Sequence, residues 1–345
     1  MRTRRSSILV FTLWVLVFLS VFSLGIGRKT SGNLMVSRYF KNRLITYYLA
    51  KAGIEMGIYE LDKDETPSYD TLNEFWANND KIFKNIPLGL GYITLSYTLP
   101  ISGSLLENNN QGEVIGKQPI FYGIMDESNK ININKVPVKV LKNLLINLGK
   151  VDEKSANDIA SSIVDWRDRD VIVSQGGAEN NYYQSLKMPY KCKNRSFEVL
   201  EELLLVKGVS FEIFSKIKDV ITVYGQDKVN VNTSSWQVLY GIGFSEYLSK
   251  RIVDFRKGDD GVDGTEDDRV FKTAGGIRDI GPLFTEESLE INSYIKFLDV
   301  KTNTVRIKSK GMIKIENKIK SQAVITCVVS RADKKEYEFL YWQEN

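Results

Sequence analysis

No histidine occurs anywhere in the 345 residues. That absence removes His-based catalytic triads, imidazole general bases and most zinc sites, and leaves enzymatic chemistry a reduced repertoire. Cysteine is nearly as scarce: only Cys192 and Cys327, far apart in the chain, which suit either a pair in an oxidising compartment or two unrelated buried thiols. Net charge is small, with 47 Lys and Arg against 43 Asp and Glu, so no general affinity for polyanions follows from it. With 43% hydrophobic residues the chain can bury a sizeable core and is not disordered.

Charge is missing altogether from Ile8 to Ile26, ILVFTLWVLVFLSVFSLGI. As a helix this run covers roughly 28 Å, about the thickness of bilayer hydrocarbon. Arg2, Arg4 and Arg5 precede it and Arg28 and Lys29 follow, which places the N-terminus in the cytoplasm and the rest of the chain outside. A cleaved secretory signal has a shorter apolar region and an A-x-A-like site, and SLGIG offers none, so the run reads as an anchor. Beyond it Val36, Phe40, Leu44, Tyr48, Ala52, Met56 and Tyr59 recur at steps of three and four. This spacing predicts one long helix to about Leu61, with that stripe packed on a globular head.

The N-terminus resembles a prepilin of the type II secretion minor pseudopilin family, general secretion pathway protein K. The resemblance implies a leader MRTRRS cut between Ser6 and Ser7 by prepilin peptidase, although Ser6 stands where Gly is usual. Phe11 occupies the fifth mature position, where most pilins carry Glu; this family is the class that lacks it.

Further along, Gly91 to Leu99 alternates apolar and polar residues and reads as a strand; Pro119 to Met125 is a second, and 101–117 a loop. Matching strands return at Thr304–Ser309, Met312–Glu316, Ala323–Val329 and Tyr337–Trp342. Between them lies an internal repeat. Lys130-Ile-Asn-Ile-Asn134 recurs as Lys228-Val-Asn-Val-Asn232, and Ile163-Val-Asp-Trp-Arg167 as Ile252-Val-Asp-Phe-Arg256. Asn132, Asn134, Asn230 and Asn232 are expected to start helices as N-caps. The segments DESNKININ, SIVDWRDRD, GGAENNYY, FEVLEELLLVKGV, VITVYG and VNVNT resemble hallmark phrases of the same family, in order.

The fold class expected is α+β: a pilin-like N-terminal helix on an antiparallel sheet, with an inserted α-helical domain of two SAM-like repeats. The expected division is leader 1–6, helix 7–62 with the membrane span 8–26, sheet 63–127 and 289–345, first repeat 128–226 and second repeat 227–288.

The second repeat carries an acidic loop in which Asp259, Asp260, Asp263, Asp267 and Asp268 alternate with glycines. Such a loop can offer several oxygens to a hard cation, although its spacing is not that of an EF-hand. Family resemblance implies Ca²⁺, against the alternative of a solvated acidic loop. Asp165, Asp168, Asp170 and Glu179 form a second candidate set in the first repeat, with Asp165 and Arg167 alternatively making helix-end ion pairs. The carboxylates are not read as a glycosidase pair, and no enzymatic activity is expected.

The functional expectation is a minor pseudopilin at the tip of a type II secretion pseudopilus in the bacterial inner membrane, with its C-terminal domain periplasmic. The resemblance implies GspI-like and GspJ-like minor pseudopilins, the major pseudopilin and inner membrane lipid as partners. A type IV pilus minor pilin is one alternative. The other is a membrane-anchored DNA receptor: Asn232 to Arg256 resembles a helix-hairpin-helix unit with Gly241-Ile-Gly243 as the phosphate-binding turn and Lys207-Gly208 as a second. The aspartates crowding that repeat oppose it, and no nucleic acid partner is expected.

Overall fold

The computed structural model describes residues 3–66, 68–99, 107–108, 114–115, 120–316, 318–333 and 336–345. Helix α1 (Thr3–Asp62) runs unbroken through the apolar segment and into the head. Every side chain from 8 to 26 is exposed, and this helix is long and apolar enough to cross a membrane.

The head is a six-stranded antiparallel sheet. Its strands are β1 (Ile86–Leu88), β2 (Gly91–Leu95), β3 (Met125–Asp126), β4 (Thr304–Ile315), β5 (Lys318–Asp333) and β6 (Glu336–Glu344). They lie in the order β1-β2-β4-β5-β6, with β3 on the far end of β4. Tyr97–Thr98 and Ile120–Phe121 pair separately, and most of 101–117 lies outside the described residues.

Helix α1 crosses this sheet on a face other than the one its large apolar residues suggest. Of the predicted stripe, Val36, Phe40, Leu44, Tyr48 and Tyr59 are exposed and only Ala52 and Met56 pack against the core, whereas Thr46, Leu49, Ala50, Ile54 and Leu61 are buried. The cause is close approach. Gly311 of β4 lies against the Thr46 carbonyl and Ala50 amide, and Gly53 against Ser309, so that a Cβ at either glycine would overlap its neighbour. Small residues therefore select the packed face, on which Leu49, Ile54 and Leu61 are buried, while Phe40, Leu44, Tyr48 and Tyr59 point away. The core so formed joins Leu49, Ile54, Trp76, Ile93, Ile307, Ile325 and Cys327.

The chain leaves the sheet after β3 and returns at β4, enclosing the helices α2 (Val138–Asn147), α3 (Glu153–Arg167), α4 (Phe211–Ile217), α5 (Trp236–Ile242), α6 (Glu246–Arg256) and α7 (Thr285–Tyr294). The return falls at Thr304 and not at 289, because Ile291, Phe297, Leu298 and Val300 pack into the helical core. That core is continuous through both repeats. The neck is fixed by Ser128, whose hydroxyl accepts from the Asn303 and Thr304 amides, and by Glu127, which pairs with Arg306 and accepts from Thr222. Burial alone would raise the Glu127 carboxyl; Lys130 and Arg306 hold it down at about 2.

Candidate metal centre

The repeat seen in the sequence is a repeat of structure. Ile131–Asn132 pairs in parallel with Ile221–Thr222, and Val229–Asn230 with Leu298–Asp299, so each unit opens and closes on a two-residue parallel bridge. The asparagines do not start helices; the helices they precede have Pro137 and Ser235 at the N-cap position. Asn132 and Asn230 lie in the bridges and accept from the amides of Asn134 and Asn232 two residues on. Asn134 accepts from the Phe197 amide and donates to its carbonyl, and Asn232 does the same with Phe271. A long-range partner, which no local pattern can reveal, decides their role.

Arg167 and Arg256 are equally matched. Arg167 ends α3 and donates to the carbonyls of Ile133 and Val136; Arg256 ends α6 and donates to those of Val231 and Ser234. No ion pair joins Arg167 to Asp165 among the described residues. Asp165 is fully buried and accepts from the amides of Ser174 and Ala178, fixing the loop that follows.

That loop gathers carboxylates. Asp168, Asp170 and Glu179 bring one oxygen each within 4.8 Å of one another. Glu179 is 3% exposed, and both its carboxylate oxygens, together with Asp168 Oδ1 and Asn194 Oδ1, are buried without a hydrogen-bond partner. Burial, reinforced by Asp170, Asp165 and Glu179, pushes the Asp168 carboxyl up to about 6, and burial also raises Glu179. Unpartnered buried anionic oxygens are costly unless something positive meets them, and an all-oxygen set is the donor chemistry of a hard cation.

The acidic loop of the second repeat is arranged differently. Asp267 accepts from the amides of Asp259 and Asp260 and from Thr265, and Asp268 from the Gly264 amide. Asp263 pairs with Arg256 at 2.9 Å and Asp259 with Arg269 at 2.6 Å. The five aspartates are thus spent largely on their own backbone and on arginines, and they do not form a cluster like that of the first repeat. Hydrogen bonds from Thr265 and from the two amides hold Asp267 down at about 2.

A second gathered group, absent from the sequence reading, comprises Asp64, Asp70 and Glu74 beneath the end of α1. Its oxygens are partnered by Arg331, Thr66, Thr71, Trp76 and the Thr302 amide. Neither cysteine forms a disulfide: Cys192 is buried in the helical core and Cys327 under α1. Phe11 is 69% exposed on α1, and the side chains of Ser6 and Ser7 lie outside the described residues.

In the hairpin resembling a DNA-binding turn, the amides of Gly243, Phe244 and Ser245 are already taken. The Gly243 and Phe244 amides both donate to Leu239, and the Ser245 amide donates to Glu290 Oε2 at 2.8 Å. A carboxylate of α7 sits where a phosphate would have to bind.

Residues 120–226 match the family model described as type II secretion system protein K. Type II secretion system protein K of Aeromonas hydrophila is 27% identical over 235 residues, covering 64% of this chain and 65% of that protein. The Pseudomonas aeruginosa protein of the same name is 31% identical over 127 residues, covering 34% of this chain and 38% of that one. The chain thus spans a little under two thirds of the first relative's length and far less of the second's. A chain in the crystal structure of the GspK-GspI-GspJ complex from enterotoxigenic Escherichia coli has the same fold, with a TM-score of 0.62 at 16% identity over 91% of this chain and 99% of that one. Residues 120–226 are thus similar to type II secretion system protein K, and the sheet with its repeated helical insertion has the fold of the chain in that complex.

Proposed function

We propose that the protein is a minor pseudopilin that sits at the tip of a type II secretion pseudopilus and serves export of folded proteins. The observation that carries this reading is the exposed apolar face of α1, which continues past the membrane span through Val36, Phe40, Leu44 and Tyr48. Apolar side chains left uncovered along such a length call for partner helices. Other minor pseudopilins, GspI-like and GspJ-like, and the major pseudopilin are the partners that fit, as the related chain's complex contains GspI and GspJ.

The span Ile8–Ile26 anchors the chain in the inner membrane with its N-terminus cytoplasmic and its head periplasmic. Prepilin peptidase cuts between Ser6 and Ser7. The role is assembly and not catalysis: the helical insertion caps the tip and obstructs addition of further subunits above it. Ca²⁺ is the cofactor, held by Asp168, Asp170 and Glu179; bound there, it would neutralise their buried charge and fix the loop that Asp165 organises. The loop 259–268, the leading candidate from the sequence, is the poorer fit because its carboxylates are already hydrogen-bonded.

The test is a proteomic comparison of supernatant and periplasm from cells with and without the chain. Loss of folded exoproteins from the supernatant with periplasmic accumulation is expected. An unchanged exoproteome overturns the secretion role and would move a type IV pilus role ahead.

A further inference from the structure

The first acidic residue of the sequence is Glu55; nine of the 47 Lys and Arg precede it, so the rest of the chain is acidic on balance. One edge of that acidic head is nevertheless basic. The turn joining β4 to β5 carries Lys314, Lys318 and Lys320 around Glu316, and it exposes Ile315 by 53% and Ile319 by 48%. Asn85 and the Tyr92 ring hold Lys314. Lys318 and Lys320 are exposed and have no acidic partner among the described residues, nor does Arg43 of α1, which lines a groove with Lys320. Isoleucines interleaved with unpaired lysines at a protruding turn are the composition of a segment that rests in a lipid headgroup layer.

The fold aims this turn at the membrane. Contacts run from Gly57 on Ile307 through Gly53 on Ser309 to Gly311 on Thr46, so β4 descends as α1 does toward its apolar end. Ile319 and Lys320 share a groove with Tyr39, Asn42, Arg43 and Glu344, the last accepting from Tyr47 and Trp342. Gly311 lies level with about residue 48 of α1, and beyond it the strand continues about 13 Å to Ile315, level with roughly residue 39. That level is about 20 Å above Ile26, of which the headgroups occupy roughly 6 Å. The remaining gap is somewhat more than one Debye length, and the protruding turn, the reach of its lysines and a tilt of about 20°, usual for membrane helices, narrow it on the side that leans.

We infer that the β4–β5 turn is a second membrane contact. Lys318 and Lys320 are drawn to the phosphates of anionic headgroups on the outer face of the bilayer that α1 spans, and leaning of the head brings Ile315 and Ile319 down to them. The contact holds the head leaning on the membrane before it joins other subunits. It rests on the reading of 8–26 as an anchor.

The test uses the full chain in nanodiscs, either of phosphatidylcholine alone or with about 30% phosphatidylglycerol. A bimane label is placed on Ile315→Cys or, on the helical insertion, Met188→Cys; both native cysteines are buried. Quenching by a headgroup nitroxide lipid is expected to be at least about threefold greater at 315 than at 188 in the anionic discs. It should fall to the level at 188 in about 0.5 M salt and with Lys318→Gln and Lys320→Gln together. A chain retained in the discs whose label at 315 is quenched no more than that at 188 overturns the contact, and equal quenching in both disc types overturns its basis in charge. A chain that fails to remain in the discs overturns the anchor instead.

Discussion

Arg331 Nη2 lies 2.7 Å from Asp64 Oδ2, joining strand β5 to the segment just beyond the end of α1. The same guanidinium reaches Asp70 Oδ1 at 3.3 Å, and Glu74 completes the group. Through Asp70 the cluster also touches the helical insertion, since Asn230 donates to the Asp70 carbonyl. Three parts of the fold therefore meet on one cation. Replacing Arg331 with Ala should destabilise the protein by about 2–3 kcal/mol near pH 8.5, because it strands buried carboxylates; the partial exposure of the arginine keeps the loss below that of a fully buried pair. Denaturant titration of the full chain in detergent measures it. The loss should shrink near pH 6, and an equal loss at both pH values would show that the arginine acts by packing alone.

The same cluster fixes a pH dependence. Burial, then the neighbouring Asp126 charge, pushes the Asp70 carboxyl up to about 7; burial, then Asp70 and Asp64, pushes Glu74 up to about 8. Between the ordinary carboxylate range and these values the folded chain binds more protons than the unfolded one. Stability from these groups is therefore fully present at low pH and is lost as pH rises through about 7 to 8. Glu127, held at about 2, acts oppositely and costs stability only as the medium becomes strongly acidic. Tm should be a few degrees higher at pH 6 than at pH 8.5. Glu74→Gln should flatten that profile, and a Tm that rises with pH would contradict the assignment.

Much of this architecture is legible in the sequence because it depends on periodicity. The charge-free run, the β-branched strands and the paired phrases around Asn132 and Asn230 are local patterns. What escaped is set by contacts between distant residues. The packed face of α1 is chosen by Gly53 meeting Ser309 and Gly311 meeting Thr46, so the large apolar residues that dominate a periodicity count lie on the wrong side. The asparagines look like helix caps until Phe197 and Phe271 arrive opposite them. The longest acidic run proves richly hydrogen-bonded, whereas three carboxylates separated by up to eleven positions converge in the first repeat.

The paired clamps predict matched mutational effects. Asn134→Ala and Asn232→Ala each remove hydrogen bonds to both backbone groups of a buried phenylalanine, and should each cost about 2–4 kcal/mol. Because both repeats share one core, either change should lower a single unfolding transition and not create a second. Hydrogen exchange monitored by mass spectrometry distinguishes the cases, since protection lost only around Phe271 in Asn232→Ala would mean that the repeats open independently.

If Ca²⁺ binds as proposed, the orphaned oxygens of Glu179 single out the carboxylates that hold it. At a concentration about 100-fold above Kd, a cation bound only by the folded state adds about 2.7 kcal/mol, enough to raise Tm measurably. Glu179→Gln and Asp168→Asn should abolish this shift, while Asp263→Asn, whose carboxylate already pairs with Arg256, should preserve it. The reverse pattern, measured by thermal unfolding with Ca²⁺ and with chelator, would move the site to the 259–268 loop.

In the pseudopilus proposed above, the polarity of assembly would turn on Phe11. In a pilus, a glutamate at this position can neutralise the α-amine of an adjacent subunit within lipid, where an unpaired charge costs roughly 2.5–3.5 kcal/mol or more. Phe11 is exposed on α1 and carries no charge, so a subunit with it can be placed where nothing lies above. Phe11→Glu restores the missing group without touching the head. If the absent carboxylate is what confines the protein to the tip, the variant should appear along the shaft, raising its ratio to the major pseudopilin in sheared fibres severalfold. If the variant stays at the tip at the wild-type ratio, the bulk of the helical insertion blocks addition by itself, and deleting 128–303 together with Phe11→Glu should then release the chain into the shaft.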